Sequence, residues 1–241
     1  LELHLNMPVY RKDEKRFHFI HIPRTAGRFV ESVIEDNNFK LENDLSDEIE
    51  GVERLHLHRD LYEKYLDIKG ITNIAIIRNP IDRFFSCSIF LKRMYGNDIQ
   101  EAMEDPIMFS MMLKNFPLTQ AVNWFRPLSD FITEDTYIWK FENGFKDEFE
   151  EWISDVLNFP FTVRDVPYKK LSTDETNKLN KSDRLIENIK QFWREDIEQF
   201  YPELATPLKE RGQKKTKTTS ITICKRKTQT LKKASTNPQK G

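Results

Sequence analysis

The sequence predicts an α/β fold built on a parallel sheet flanked by helices. Three observations carry this: two short apolar runs that each pass through a tight loop straight into a helix, a helical connection between them, and a third β-rich run further along. At 241 residues, with 38% hydrophobic and 12% aromatic content, the chain can bury one sizeable core, so a single domain is expected over 1–206. The 18 Phe set against 7 Gly point to a core of rings carried on helices and strands, with few glycine-built turns.

Arg16 to Ile22 reads Arg-Phe-His-Phe-Ile-His-Ile, a β-forming run stopped by Pro23, and is expected to be a buried strand. A helix is expected from Gly27, because Phe29, Val30, Val33 and Ile34 fall on one face. Leu57 to Leu66 supplies the helical connection. From Ile71, the run Ile74-Ala75-Ile76-Ile77 reads as a strand buried on both faces, as parallel strands are. Asn79-Pro80 then opens a helix that runs to Gly96: Asn caps it, Pro suits its first position, Asp82 complements the dipole, and Ile81, Phe84, Phe85, Ile89 and Leu91 give it an apolar side. Met108 to Phe125 reads as helices broken near Pro117, Thr136 to Phe141 as a third strand, and Phe145 to Leu157 as a helix. One long final helix is expected from Asp183 to Phe200, burying Leu185, Ile189, Phe192, Trp193, Ile197 and Phe200.

The net charge of -1 conceals an asymmetry. Pro207 to Gly241 carries 11 of the 38 Lys and Arg but only Glu210 of the 39 acids, leaving 27 basic and 38 acidic residues before it. The segment 207–241 therefore reads as a basic, disordered tail, and any anion site in the body must be local, since no bulk positive field supports it. The two cysteines, Cys87 and Cys224, are too few for a disulfide framework or a zinc cluster, which fits a reducing compartment. No stretch approaches the roughly 20 apolar residues of a membrane span, and the first residues lack the apolar core of a signal peptide. The chain opens on Leu, so this says little about targeting.

The segment His21-Ile22-Pro23-Arg24-Thr25-Ala26-Gly27-Arg28 lies between a strand and a helix start, where unpaired backbone N–H groups and the helix dipole favour an anion. Two guanidiniums, a hydroxyl and a glycine that lets the backbone come close add directed donors. Gly-x4-Gly-Lys-Ser/Thr cannot be laid on it, which counts against a nucleoside triphosphatase. Taken alone, it also reads as a basic surface turn before an amphipathic helix. A second corner runs from Ile76 to Ser86, with Arg78 at the carboxyl end of a strand, where open parallel sheets bind ligands. A helical Ser bonded to its own backbone is the alternative for Ser86, and a surface ion pair with Asp82 or a neighbour is the preferred reading of Arg83.

Together the two corners resemble the cofactor motifs of sulfotransferases that use 3′-phosphoadenosine-5′-phosphosulfate (PAPS), of the carbohydrate type that includes the 2-O-sulfotransferases and their bacterial relatives. The first is similar to the 5′-phosphosulfate loop, commonly His-Ile-Pro-Lys-Thr-Ala/Gly-Gly-Thr, with Arg24 in the place of the lysine and Arg28 in the place of the last residue. The second is similar to the 3′-phosphate motif, an Arg-Asp/Asn-Pro strand end with a Ser eight residues after the Arg. The motifs stand in the expected order, with Arg24 and Arg78 separated by 54 positions.

The resemblance implies a P-loop-like sheet and transfer of a sulfuryl group from PAPS to a hydroxyl of a glycan or small molecule, with no metal. Arg24, Thr25, Ala26, Gly27 and Arg28 would hold the 5′ side, Arg78 and Ser86 the 3′-phosphate. Arg24 would stabilise charge on the departing phosphate, as a planar fork where the family has a point charge. The reaction needs a base, and a neutral imidazole suits it. Relatives place a histidine between the corners, so His56, 22 residues before Arg78, is the first choice and His58 the second. Both line a cleft only if their segment is extended, and a packed structural role is the alternative for His56.

His18 and His21 read as packed behind the site, and His4 as exposed. Glu142 matches a family position at a strand end, where a carboxylate organises the site; a solvated strand end is equally expected. Lys169 or Lys170, ahead of a capping box formed by Ser172 and Glu175, is the analogue of a lysine that touches the nucleotide. Two other functions fit the same residues: a nucleotide-binding module without catalysis, which the departures at Arg24 and Arg28 would allow, and a kinase-like phosphotransferase. No nucleic-acid partner is expected, and membrane contact only through the basic tail if at all. Localisation stays open, since eukaryotic relatives are Golgi-lumenal and bacterial ones often cytoplasmic.

Overall fold

A computed structural model of the chain describes residues 8–42, 48–95, 123–164 and 182–205. The expected helices over 108–122, His4, Lys169, Lys170, Ser172, Glu175, Cys224 and the tail from Pro207 lie outside the described residues.

Strand β1 (Val9–Lys12) turns at Asp13 into β2 (Lys15–Ile20), and the two pair antiparallel from Val9 opposite His18 to Lys12 opposite Lys15. Asp13 has φ 51°, a left-handed conformation that Asp tolerates in tight turns. Helix α1 (Gly27–Asp36) follows, and the short strand β3 (Lys40–Leu41) returns to pair antiparallel with β1. After a small hairpin, β4 (Glu48–Ile49) with β5 (Val52–Glu53), and helix α2 (Arg59–Tyr65), strand β6 (Thr72–Ile77) lies parallel to β2. Helix α3 (Pro80–Tyr95) leaves its end, and β7 (Tyr137–Lys140) adds parallel to β6. The sheet order is β3-β1-β2-β6-β7. It is therefore mixed and not all parallel, because the hairpin at Asp13 adds an antiparallel side that the sequence reading did not contain.

The parallel strands obey the period of two on two buried faces. Phe17, Phe19, Ile74 and Ile76 pack with Val30, Val33 and Ile34 of α1 and with Phe149 and Ile153 of helix α4 (Asp147–Leu157). Ile20, Ala75 and Ile77 pack on the other side with Leu57, Leu61, Tyr62 and Phe131. A third cluster joins Phe84, Phe85 and Cys87 of α3 to Trp124, Phe125, Leu185 and Ile189. Asn79 caps α3 as expected: its Oδ1 accepts the Ile81 N–H at 2.9 Å.

The long final helix is instead two helices, α5 (Asp183–Phe192) and α6 (Arg194–Phe200), broken at Trp193 with φ -105° and ψ 40°. The break has a tertiary cause. Trp193 is buried, its Nε1 donates to the Phe125 carbonyl at 3.1 Å, and its ring meets that of Phe84 at 5.7 Å. Phe192, expected in the buried stripe, is turned outward and is 38% exposed.

Candidate functional site

The carboxyl ends of β2 and β6 open on a cavity of about 350 Å³. The first corner reaches it through two non-glycine residues in left-handed conformation, Arg24 (φ 66°) and Ala26 (φ 79°), which cost about 1–2 kcal/mol each and persist because the surroundings fix them. Ala26 turns the chain into α1, and its carbonyl accepts from Phe29 and Val30. Thr25 does not line the cavity: it is fully buried, and its hydroxyl donates to the Ile22 carbonyl at 2.8 Å, tying the loop to itself. Arg24, Ala26, Gly27 and Arg28 do line it. Arg28 is exposed and lies 3.7 Å from Glu31.

The second corner meets the first through Arg24. Its Nε donates to Ser86 Oγ at 3.1 Å, and its guanidinium stands 4.8 Å from the centre of the Phe90 ring. Arg78, at the end of β6, reaches the Arg24 carbonyl at 3.4 Å and stacks on Phe141 at 4.5 Å. Its buried Nε has no acceptor among the described residues, nor does Trp124 Nε1 on the cavity wall. Arg24, Arg78 and Ser86 thus share one cavity although they are far apart in sequence. Glu142 does not line it. Its carboxylate accepts from the Asn79 N–H at 2.7 Å and the Tyr201 hydroxyl at 3.0 Å, fastening the end of β7 to the start of α3.

Arg83 corrects the surface reading. It is 1% exposed, and its guanidinium donates to three backbone carbonyls: Pro23 at 3.0 Å, Trp124 at 2.9 Å and Arg126 at 2.7 Å. One buried cation therefore fixes the first corner and the Trp124 wall together.

His56 ends a 3-10 turn (Arg54–His56), and its Nδ1 lies 2.5 Å from Glu53 Oε2. With the proton assigned to Nδ1, Glu53 accepts it and the Nε2 lone pair is left for other work. Burial pushes the His56 pKa down to about 4, against the opposing pull of Glu53, so the ring is neutral at physiological pH. His56 lines the cavity, as does His21, with ring centres 4.6 Å apart. His21 Nδ1 meets Glu31 Oε1 at 2.9 Å. Burial raises the Glu31 pKa, but the His21 bond and the charges of His21 and Arg28 outweigh it and hold the carboxyl below its ordinary value.

His58 does not line the cavity. The turn at His56 prevents the two histidines from sharing one extended face; His58 precedes α2 with Nε2 buried and unpartnered among the described residues, and burial lowers its pKa. His18 is packed, as expected, with Nδ1 3.0 Å from Asn73 Oδ1 and its ring on Tyr62.

The sequence reading missed Glu53, Glu31, His21 as a cavity residue, and the wall formed by Phe90 and Trp124. Glu31 left a signal: it is an acid next to Val30 and one turn from Gly27 and Ile34, on the face α1 buries. Burial pushes the Cys87 thiol up, which disfavours the thiolate. Among the described residues no group of three or more His, Cys, Asp or Glu could hold a metal ion, and no helix is long and apolar enough to cross a membrane. In a larger, open depression over the β1–β2 hairpin, Glu42 pairs with Arg16 at 2.6 Å and with Arg11 at 3.8 Å.

No protein-family model matches the chain, and no curated protein matches it. Among solved structures it is similar to a sulfotransferase from Alicyclobacillus acidocaldarius, at 19% identity and a TM-score of 0.33, over 62% of this chain and 59% of that one.

Proposed function

We propose that this chain transfers a sulfuryl group from PAPS to a hydroxyl of an acceptor, with carbohydrates the first class of acceptor to test. The observation that carries the reading is the meeting of both corners: Arg24, Arg78 and Ser86 share one cavity with a neutral imidazole, His56. The residues fit such a ligand. Two buried donors on cavity residues, Arg78 Nε and Trp124 Nε1, lack acceptors among the described residues, and a ligand rich in phosphate and sulfate oxygens supplies acceptors.

When bound, PAPS supplies a sulfuryl group already activated for transfer. Arg78 and Ser86 bind the 3′-phosphate, and the first turn of α1, with Arg28, faces the 5′ side. His56 takes the acceptor hydroxyl proton on Nε2. Glu53 holds the Nδ1 proton and stabilises the imidazolium that results. Phe90 and Trp124, with ring centres 4.3 Å apart, exclude water from that side of the cavity.

The test is transfer of labelled sulfate from PAPS to a panel of glycans and small alcohols. The unmutated chain is expected to turn over at least one acceptor, and His56→Ala to lose about 10²–10⁴ in rate while nucleotide affinity changes less than about threefold. Tight binding of the nucleotide product, 3′-phosphoadenosine-5′-phosphate (PAP), with no transfer to any acceptor would identify a binding module instead. Stabilisation by Mg-ATP beyond that by PAP would identify a phosphotransferase; a ligand at 100 times its Kd contributes about 2.7 kcal/mol, well within reach of a thermal shift.

A further inference from the structure

We infer that Asn123 is a positioning residue for the base: it holds the His56 backbone carbonyl, and through it the place of the imidazole in the cavity. This rests on the reading that His56 takes the acceptor proton.

His56 is the last residue of a single 3-10 turn, and the closing carbonyls of such a turn have no partner within it. The chain leaves extended at Leu57, with φ -66° and ψ 127°, so the turn does not continue. The Asn123 side chain supplies the donor: its Nδ2 lies 2.6 Å from the His56 carbonyl oxygen, and both residues are buried. A carbonyl only accepts, so this bond fixes which end of the amide is the nitrogen and leaves Asn123 Oδ1 buried without a partner among the described residues. Glu53 does not do the same work. It stands three residues before His56, where β5 leads into the turn, and its side chain is 36% exposed; its bond sets the tautomer of the ring and moves with the turn. Asn123 comes from 67 positions away and ties the turn to another part of the fold.

Asn123 is itself anchored. The three carbonyls that follow it are taken by buried side chains, those of Trp124 and Arg126 by Arg83 and that of Phe125 by Trp193. Asp196, fully buried on α6, then accepts the Leu128 and Ser129 N–H groups at 2.6 and 2.9 Å. Irregular backbone tied at so many points keeps its place as a helix or strand does. The next residue, Trp124, brings its ring to 6.3 Å from that of His56, so one anchored segment meets the base at both its carbonyl and its ring. A misplacement of about 1 Å costs about 10²-fold in rate, which is the scale on which such a grip matters.

The experiment is a double-mutant cycle on the full chain, reading transfer of labelled sulfate from PAPS to an acceptor that the unmutated chain uses. Asn123→Ala is expected to lower kcat about 10- to 100-fold and to change PAP affinity by less than about threefold. In the His56→Ala background the same substitution is expected to cost less than about twofold, because a residue that acts through His56 has nothing left to act on. Equal losses in the two backgrounds overturn the inference, since a residue that only stabilises the fold or serves the cofactor behaves in that way. Asn123→Asp is the conservative variant. Its carboxyl donates to the His56 carbonyl when protonated and not when ionised, so its kcat relative to the unmutated chain is expected to rise as pH falls from about 8 to about 6, while that of Asn123→Ala stays flat. The downfield proton resonance of His56 Nδ1, assigned by its loss in His56→Ala, reads the same effect without turnover: it is expected to broaden or vanish in Asn123→Ala, and an unchanged resonance overturns the inference. Thermal melts check folding; if Asn123→Ala does not fold, Asn123→Asp carries the cycle and the resonance. If the unmutated chain transfers sulfate to no acceptor, the inference falls together with the proposed function; if it does transfer and the cycle is additive, the inference falls alone.

Discussion

The His21 imidazole occupies the space where any side chain at position 27 would begin: an alanine methyl there would lie 1.8 Å from His21 Cδ2 and Nε2. The missing Cβ of Gly27 is thus taken up by a neighbouring ring, and a close approach of backbone to phosphate is not needed to explain the glycine. Gly27→Ala is expected to cost about 1–3 kcal/mol by overpacking and to push His21 off Glu31. Combining it with His21→Ala should restore much of the loss. Urea unfolding of the two single variants and the double variant measures the coupling, and additive losses would refute the account.

Arg83→Met leaves three backbone carbonyls without their donor. The expected cost is about 3–5 kcal/mol in denaturant unfolding, against about 0.3–1 kcal/mol for Asp82→Ala next to it, which is exposed and loses only its interaction with the helix dipole. A small effect at Arg83 would show that water replaces its bonds.

His18 and His56 are both held at about 4 by burial, below the ordinary 6.5 of the unfolded chain. Between those values the unfolded chain binds protons that the native chain refuses, so the contribution of these two histidines to stability falls as pH drops through 6.5 and levels off below about 4. From pH 7 to pH 5 the loss is about 2 kcal/mol for each histidine. His18→Gln should remove its share of the slope, whatever it does to stability at pH 7. Urea midpoints across that range check it; an unchanged slope would mean that His18 titrates normally.

An anion brought into the cavity favours the protonated form of His56. PAP is therefore expected to raise the His56 pKa, seen by following its ring carbon resonances against pH, and PAP affinity to rise as pH falls toward that value. If the His56 titration is identical with and without PAP, the phosphates do not lie near it.

The two strand-to-helix corners were legible because each is written in adjacent residues: a contiguous apolar run, turn formers, then a cap or an apolar face. The structure reproduces them within a residue or two, as Lys15–Ile20 into Gly27–Asp36 and Thr72–Ile77 into Pro80–Tyr95. What was not legible depends on partners distant in sequence. Strand β1 is two apolar residues and two charged ones, and becomes a strand only because Tyr10 stacks on Phe17 across the turn. Nothing near Trp193 resembles a helix stop; the break is imposed by Phe84 and Phe125. Arginine is mostly an exposed residue, so Arg83 was read as one, and only the convergence of Pro23, Trp124 and Arg126 reverses that. The site divides in the same way. Arg24, Arg78, Ser86 and His56 carry motif signals, whereas their pairing with one another and with Glu53 comes from the fold.

The three bonds of Arg83 bear on how such a protein could change over evolutionary time. On the function proposed above, a change of acceptor that spares the cofactor end requires a junction that holds its place while one side is altered. Arg83 is such a junction: one guanidinium ties the Pro23 carbonyl of the first corner to the carbonyls of Trp124 and Arg126, 41 and 43 positions after Arg83. Substitutions that spare these three bonds are the ones that leave the first corner and the Trp124 wall in register with each other.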